Sequence, residues 1–399
     1  MKKKKNDWIR LRHKVVTGVG RFIIGGYVRW KYHIRIEPFA QEGKRPYLIL
    51  MNHQTGFDQF FVALTFRQPV YYLASEDIFS MGRLSRIIEW AVAPISIKKQ
   101  TTDLQAVKNC IRVVREGGTI CIAPEGQRTF HGKTVYIAPS IASLVRMLKL
   151  PIAIFRIEGG YGIQPRWSEV VRKGKMRSYV KRVIEPEEYK EMTNDQLSDV
   201  LREELKVDES GICGEFEHEK SAEYMERVVY TCPDCGLTTW ESNGRLLRCT
   251  RCGRQVRYLA NKELEGVDKP FPHRFLADWY DAQEAYVNGL DTLSMTQSPV
   301  WEESAKLSRV HVGSHKEILQ ENAAVCLFGD RITVDGRSFA FDKVHAVTIL
   351  GKNKLNIYDG DEIFQLEGSK RFNGLKYLNF YHRYKNLTTG DGSGKYLGL

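Results

Sequence analysis

The segment Tyr47-Leu48-Ile49-Leu50-Met51-Asn52-His53-Gln54-Thr55-Gly56-Phe57-Asp58 decides the fold of the N-terminal half of this 399-residue chain. Its first five residues predict a short buried strand that ends directly at a titratable cluster. Similar runs at 70–74, 94–97, 119–123 and 152–157 predict further strands, with capped helical sequence among them. Alternating strands and helices predict a layered α/β domain, in which ligands bind beyond the carboxyl ends of the strands.

Two polar clusters lie at such strand ends: His53 with Asp58, and the run Glu125-Gly126-Gln127-Arg128. A histidine beside a carboxylate is held in one tautomer and can take a proton from a hydroxyl group. An arginine offers a planar fork that suits phosphate, and Gly126 lets the backbone turn tightly near a ligand. The residues therefore predict an enzyme that activates a hydroxyl on a phosphate-bearing acceptor. The alternative is that His53 is structural and Arg128 forms an ordinary surface ion pair.

A covalent nucleophile is not evident in this half of the sequence. The motif Gly-x-Ser-x-Gly is absent, Cys110 lies at the edge of a predicted helix stripe, and Cys121 lies within a predicted buried strand. Direct attack by the acceptor hydroxyl on an activated acyl thioester needs no such nucleophile.

The pattern Asn-His-x4-Asp at 52–58, followed by Glu-Gly-x-Arg at 125–128, resembles the glycerolipid acyltransferase family that includes 1-acyl-glycerol-3-phosphate acyltransferases. The resemblance covers about residues 37–205, and two weaker blocks at 95–99 and 150–153 also fit. It implies that His53 is the general base and that Asp58 orients it. It also implies a set of substrate-binding residues, comprising Asn52, Lys98, Glu125, Gly126 and Arg128.

The resemblance further implies a reaction: acyl transfer from acyl-coenzyme A or acyl carrier protein to 1-acyl-glycerol-3-phosphate (lysophosphatidic acid), giving phosphatidic acid in phospholipid synthesis. The same chemistry on glycerol 3-phosphate or another lysolipid remains an alternative. A third alternative is a non-catalytic membrane scaffold. Intact His53, Asp58, Glu125 and Arg128 favour an enzyme, because a degenerate site would most easily lose one of them.

The basic charge of the chain is concentrated at its N-terminus. Residues 1–36 carry a net charge of +10 of the total +12, so the remainder gives no reason to expect nucleic-acid binding. A helical wheel over 8–30 predicts a basic amphipathic helix whose apolar stripe lies in an anionic membrane surface or docks on its own domain. The stripe comprises Trp8, Leu11, Val15, Val16, Val19, Phe22, Ile23 and Trp30.

The sequence also predicts where the protein resides. Arg21 and Arg29 interrupt the best apolar stretch near the N-terminus, and no run of 18 apolar residues exists. A secretory signal is also not evident. We therefore expect a cytoplasmic protein that is peripheral on the inner face of the membrane, with reduced cysteines.

Two Cys-x-x-Cys pairs, Cys232/Cys235 and Cys249/Cys252, are each followed by glycine and lie thirteen residues apart. Four thiolates on two tight turns predict a structural, tetrahedral Zn²⁺ site, and the flanking strand-like segments predict a zinc ribbon over 225–262. Disulfides or a redox pair are the alternatives. The ribbon is expected to serve as a scaffold or protein contact rather than a nucleic-acid reader.

The rest of the chain predicts a small, mostly-β C-terminal domain. A helical linker is expected over 263–299, and the seven short strands and closing helix of 300–386 are similar to a pleckstrin-homology-like domain. Such a domain, like the ribbon, offers a surface for a protein partner. A disordered tail is expected over 387–399. The predicted organisation is therefore a layered α/β acyltransferase domain over 37–206, a zinc ribbon and a mostly-β domain.

Overall fold

The computed structural model describes residues 8–75, 78–79, 82–97, 103–311 and 315–390. These residues form an N-terminal α/β domain, a small cysteine-bearing β region and an antiparallel β domain, which confirms the predicted fold class. Lys98, predicted to bind substrate, lies outside the described residues, as does the lysine run at 2–5.

The N-terminal domain contains seven described strands around a mixed sheet and eight described α-helices. The strands are β1 (Ile34–Ile36), β2 (Leu48–Met51), β3 (Val70–Ser75), β4 (Ile95–Ile97), β5 (Thr119–Ile122), β6 (Ile152–Glu158) and β7 (Met176–Ile184). The helices are α1 (Leu11–Tyr32), α2 (Asp58–Thr65), α3 (Arg83–Val92), α4 (Leu104–Arg115), α5 (Ser140–Leu148), α6 (Gly160–Ile163), α7 (Pro186–Tyr189) and α8 (Asn194–Leu205).

The strand order in this sheet is β1-β7-β6-β2-β5-β3-β4, and β2 pairs in parallel with both β5 and β6. Alternate residues of β2 point into two separate cores, because Leu48 and Leu50 join one apolar cluster whereas Ile49 and Met51 join another. The sheet is therefore covered on both faces, as parallel sheets require. The two loops that carry the predicted site leave neighbouring strands, β2 and β5, at the same edge.

All five predicted strands of this domain are present, but the sequence analysis missed β1 and β7. β7 runs antiparallel to β6, and β1 pairs with β7 from residue 34 onward. Residues 34–36, which the prediction assigns to the N-terminal helical segment (1–36), therefore form a strand beside the predicted α/β domain (37–206). β1 has only three residues and β7 carries several cations, so neither shows the apolar run that marks a buried strand.

Helix α1 docks on the domain through a face other than its apolar stripe. His13, Gly25, Val28 and Tyr32 are buried, and Arg21 donates to three backbone carbonyls around the end of α2. Those carbonyls belong to Ala63, Phe66 and Gln68. Trp8, at the start of the stripe, packs against the domain core, but from Leu11 to Trp30 most of the stripe is exposed, with Phe22 at 89%. Most of the stripe therefore does not dock on its own domain, and none of the described helices is long and apolar enough to cross a membrane.

The cysteine-bearing region consists of two small antiparallel sheets. Its strands are β8 (Thr231–Cys232), β9 (Gly236–Leu237), β10 (Trp240–Asn243), β11 (Leu246–Cys249), β12 (Gln255–Tyr258) and β13 (Leu264–Gly266). β13 pairs with β12, so the four-stranded sheet continues past the predicted end of the ribbon at residue 262. The long helix of the segment predicted as a linker, α9 (Leu276–Asn288), follows it and buries Trp279 against Trp240.

The C-terminal domain is a seven-stranded antiparallel sheet with one helix, as expected from its sequence. Its order is β17-β16-β15-β14-β20-β19-β18, so the first strand lies in the middle and joins the two halves. The elements are β14 (Trp301–Val310), β15 (Lys316–Leu327), β16 (Arg331–Val334), β17 (Arg337–Ala340), β18 (Ala346–Leu350), β19 (Lys354–Asp359), β20 (Glu362–Gly368) and α10 (Gly374–Thr389).

Helix α10 corrects the predicted start of the tail. It continues through Thr389 and ends at Gly390, whose φ of +66° suits a glycine cap. Residues 387–389, predicted to be disordered, are therefore helical. The rest of the predicted tail, 391–399, lies outside the described residues.

Candidate active site

His53 and Asp58 form a hydrogen-bonded pair at the carboxyl end of β2. The Nδ1 atom of His53 lies 2.8 Å from Oδ2 of Asp58, which is fully buried, whereas the His53 side chain is 25% exposed. Asp58 opens helix α2 and also accepts hydrogen bonds from the backbone of Gln54 and Thr55 and from the Thr55 hydroxyl. These bonds fix the carboxylate, which in turn favours the proton on Nδ1 and leaves Nε2 as the basic nitrogen. No described residue forms a hydrogen bond with Nε2.

The two predicted motifs are joined to each other through the backbone of His53. The His53 N–H donates to Oε1 of Glu125 at 2.9 Å, and the Thr129 N–H donates to the His53 carbonyl at 3.1 Å. The other oxygen of Glu125 accepts from the Val135 N–H. Within the second motif, Gly126 has a φ of +70°, a left-handed backbone conformation that suits a tight turn. The loop after β5 thus holds the loop after β2 in place.

Glu125 itself is buried, and its surroundings change its acidity. Burial raises the pKa of its carboxyl to about 8, although the hydrogen bonds from Val135 and His53 act in the opposite direction. Both oxygens of Glu125 thus accept backbone N–H groups of the two loops. Asn52 also binds backbone, because its amide donates to the Ile157 carbonyl at 2.9 Å and its oxygen accepts from the Ile157 N–H at 2.8 Å.

Arg128 brings a cation to the same loop. Burial lowers the pKa of its guanidinium, while the charge of Asp58 raises it, so Arg128 and Asp58 lie within electrostatic reach of each other. A Cβ atom at Gly56 would lie 3.7 Å from an Arg128 Nη1, which places the guanidinium against the His53–Asp58 loop. Among the residues that the structure describes, no carboxylate forms an ion pair with Arg128. A surface ion pair at Arg128, the alternative reading of the sequence, is therefore absent from that part of the chain.

The structure brings two residues from outside both motifs to this site. The fully buried Tyr32, at the end of α1, packs its ring 5.1 Å from that of Phe57, in the loop between His53 and Asp58, and donates to Gln164. Arg166, also buried, donates to the Arg128 carbonyl. Tyr32 and Arg166 belong to neither motif, so periodicity and spacing could not reveal them.

The two cysteines of this domain are poorly suited to nucleophilic attack. Burial raises the pKa of Cys110 to about 12, and it raises the pKa of Cys121 further above the ordinary range. A buried thiol that stays protonated is inert. Neither cysteine is therefore suited to form a covalent acyl intermediate.

Residues 31–158 match the family model described as Acyltransferase, a stretch that runs from the end of α1 to the end of β6 and contains both loops. This part of the chain is an acyltransferase domain. Among solved structures the chain is similar to the 1-acyl-sn-glycerophosphate (LPA) acyltransferase PlsC from Thermotoga maritima, with 16% identity, coverage of 51% of this chain and 94% of that chain, and a TM-score of 0.38. No curated protein sequence matches the chain.

Outside the acyltransferase domain, the four predicted cysteines converge on one point. Their sulfur atoms all lie within 4.8 Å of one another, with Cys232 to Cys252 at 3.7 Å and Cys235 to Cys249 at 3.6 Å. Four sulfurs around a tetrahedral Zn²⁺ at about 2.3 Å would lie roughly 3.8 Å apart, so the spacing fits a metal ion. All four are free thiols, and the glycines after each pair have positive φ angles of +75° and +77°.

Proposed function

We propose that the protein transfers an acyl group from an acyl thioester, carried on coenzyme A or acyl carrier protein, to the free hydroxyl of lysophosphatidic acid. The observation that carries this proposal is the placement of an open histidine nitrogen and a cation without a described carboxylate partner on two adjoining loops of an acyltransferase domain. Glycerol 3-phosphate and other phosphate-bearing lysolipids remain candidate acceptors, because the described residues bind the phosphate rather than the acyl chain.

His53 acts as the general base in this proposal. Its Nε2 takes the proton of the acceptor hydroxyl as that oxygen forms a bond to the thioester carbonyl carbon. Asp58 stabilises the resulting imidazolium and keeps the ring oriented. When the carbon–sulfur bond breaks, the imidazolium returns the proton to the leaving thiolate. Proton transfer of this kind contributes about 10²–10⁴ in rate.

Arg128 holds the acceptor phosphate. A half-buried guanidinium that lacks a described carboxylate partner carries a cost of desolvation that an incoming dianion offsets, and its fork matches two phosphate oxygens. Asn52, Glu125 and Gly126, predicted to bind substrate, act instead by positioning the two loops. Lys98 retains its predicted place near the phosphate as part of the proposal.

In this proposal helix α1 brings the site to a membrane surface. Its exposed apolar stripe continues onto α3, which contacts α1 and exposes Leu84, Ile87 and Trp90. Cations flank the exposed apolar residues of α1 and α3. Arg12 lies over the Trp90 ring, and Lys31 lies near the ring of Phe57, in the loop between His53 and Asp58. Apolar area with flanking cations suits an anionic phospholipid surface, where the lysolipid acceptor is found. We place this contact on the cytoplasmic face of the membrane.

The remaining parts serve structure in this proposal. Zn²⁺ is the metal that the four cysteine thiolates fit, and with no fifth ligand among the described residues it is structural. The C-terminal sheet, with its seven-strand order and closing helix, is consistent with a pleckstrin-homology-like domain over 300–386. Either part offers a surface for a protein partner.

An acceptor panel tests the proposal. Purified protein is incubated with labelled acyl thioesters and with lysophosphatidate, glycerol 3-phosphate or lysophosphatidylcholine. We expect lysophosphatidate to be preferred and Arg128→Ala to weaken its use about 10- to 100-fold, the cost of a charge-assisted hydrogen bond. The exposed Arg67→Ala serves as the control. Equal use of all acceptors, or unchanged kinetics in Arg128→Ala, would contradict the assigned substrate.

A further inference from the structure

A short segment at residues 166–169 lies between the acyltransferase domain and the C-terminal domain and contacts both. Lys352, in the turn between β18 and β19, donates to the Ser168 carbonyl and to Glu169, each at 2.7 Å. From the other side, Arg227 donates to the Trp167 carbonyl at 2.8 Å and to Glu169 at 2.7 Å. The segment is therefore clamped by residues far from it in sequence.

Arg166 connects this segment to the loop that carries Arg128. Its Nη1 donates to Oε1 of Gln127 at 3.0 Å and to the Arg128 carbonyl at 3.1 Å, and its guanidinium lies 3.9 Å from the centre of the Phe130 ring. The remaining donors point to the C-terminal domain. Nε donates to the Gly351 carbonyl at 2.9 Å, and Nη2 donates to the Ile349 carbonyl at 3.0 Å.

The charge of Arg166 is not matched by a carboxylate within the described part of the chain. Burial and the nearby charge of Arg128 hold the pKa of Arg166 well below its ordinary value. Burial also lowers the pKa of Lys352, whereas the carboxylate of Glu169, with which Lys352 is paired at 2.7 Å, acts in the opposite direction. Arg166 and Arg128 are close to each other and neither has a described carboxylate partner, which is unfavourable unless an anion binds there. The arrangement therefore raises the positive potential where the acceptor phosphate is proposed to lie.

We infer that Arg166 is a positioning residue for Arg128, and that the β18–β19 turn of the C-terminal domain completes the phosphate pocket of the acyltransferase domain. This inference rests on the proposed function. It assigns the C-terminal domain a part in substrate binding, because the carbonyls of Ile349 and Gly351 fix the fork that holds the loop at 127–130. The planar guanidinium of Arg166 donates to four carbonyl or amide oxygens, which hold it in one orientation. The position of the β18–β19 turn therefore sets the position of Arg128.

The test compares Arg166→Lys with Arg172→Lys in the full-length protein. Arg172 is equally buried and also donates across a boundary, to the Ser221 carbonyl and the Tyr258 hydroxyl, but it contacts none of residues 127–130. We expect Arg166→Lys to raise the KM for lysophosphatidate about 10- to 100-fold, as for a misplaced binding group, with little change in kcat or in the KM for the thioester. Arg172→Lys should leave the KM for lysophosphatidate close to that of the wild type.

A second pair of variants probes the same link from the C-terminal domain, and keeps the inference testable if Arg166→Lys does not fold. Lys352→Met removes the bonds to Ser168 and Glu169. Lys354→Met, two residues away, removes only an ion pair with Glu367 at 3.0 Å. We expect the first variant alone to raise the KM for lysophosphatidate, by a smaller factor than Arg166→Lys.

The outcomes separate this inference from the function on which it rests. If the wild type acylates lysophosphatidate but each variant matches its control, the positioning role is wrong and the proposed function stands. Equal increases in the KM values for lysophosphatidate and thioester would likewise show that Arg166 supports the fold in general and does not position Arg128. If the wild type transfers no acyl group to any phosphate-bearing acceptor, the proposed function fails and the inference fails with it.

Discussion

The His53 pair and the four-cysteine cluster differ in how they use their polar atoms. His53 binds Asp58 through one ring nitrogen, keeps 25% of its side chain exposed, and leaves its other nitrogen without a described partner. The four cysteine sulfurs, in contrast, all face one another within 4.8 Å. One arrangement is open toward a reacting molecule, and the other is closed around a single point.

Because of this difference, substitutions at the two places are expected to affect different properties of the protein. In the proposed reaction, removing the open nitrogen takes away the group that meets substrate, while the loops around it keep their backbone bonds through Glu125 and Asp58. Removing one sulfur from the closed cluster takes away one of the four proposed metal ligands that hold its strands together. We therefore expect substitutions at the first place to change turnover and substitutions at the second to change folding. The predictions that follow test each half of this contrast.

The largest effect is expected from loss of the metal. Binding of a structural Zn²⁺ contributes roughly 10–16 kcal/mol in small zinc-finger peptides near neutral pH. Chelation or Cys249→Ser should therefore unfold the small β region and lower the melting temperature, as measured by calorimetry and by metal content. Cys213→Ser, at an exposed cysteine outside the cluster, is the matched control. The proposal of a structural metal site would be contradicted if the purified protein contains no metal and Cys249→Ser leaves the melting temperature unchanged.

A smaller effect is expected at Glu125, which supports the open site. Its pKa is about 8 in the folded protein and near 4.5 ordinarily, so between these values the folded state holds a proton that the unfolded chain releases. Stability should therefore fall as the pH rises through this window, by about 5 kcal/mol at most. Glu125→Gln, which does not titrate, should flatten that slope in urea unfolding curves. If stability falls equally steeply with pH in the variant, titratable groups other than Glu125 determine the pH dependence.

The smallest effect concerns the membrane contact of α1. Phe22→Glu should weaken binding to vesicles of phosphatidylcholine and phosphatidylglycerol by about 1.5–3 kcal/mol, the cost of losing one buried aromatic side chain. Sedimentation with the vesicles measures this. Leu293→Glu, at an exposed apolar residue beyond α9, is the control. Equal sedimentation of both variants and the wild type would show that α1 does not contact the membrane.

The sequence predicts the central strands and the meeting of the two loops well. Each strand is a short apolar run, and β2 and β5 are neighbours, so polar residues that follow them must converge. The cysteine cluster was equally predictable, because its ligands lie close in sequence and their chemistry is specific. The exposed stripe of α1 was visible on a helical wheel.

The roles of individual side chains were harder to predict. Motif membership assigned Asn52 and Glu125 to substrate, whereas each binds backbone groups, at Ile157 for one and at His53 and Val135 for the other. Arg21 shows the same limit, since a helical wheel gives the polarity of a face and not the carbonyls that it will meet. The contact of Arg166 with the β18–β19 turn joins residues more than 180 positions apart, and no local pattern encodes it.

The central claim is that His53 is the base of an acyl transfer. The most direct measurement follows a labelled acyl group from acyl-coenzyme A or acyl carrier protein into phosphatidate, with anionic vesicles, for the wild type and His53→Ala. We predict transfer by the wild type, a loss of about 10²–10⁴ in rate for His53→Ala, and the same melting temperature for both proteins. Wild-type turnover in His53→Ala, or no transfer by the wild type with any thioester and lysolipid, would contradict the account.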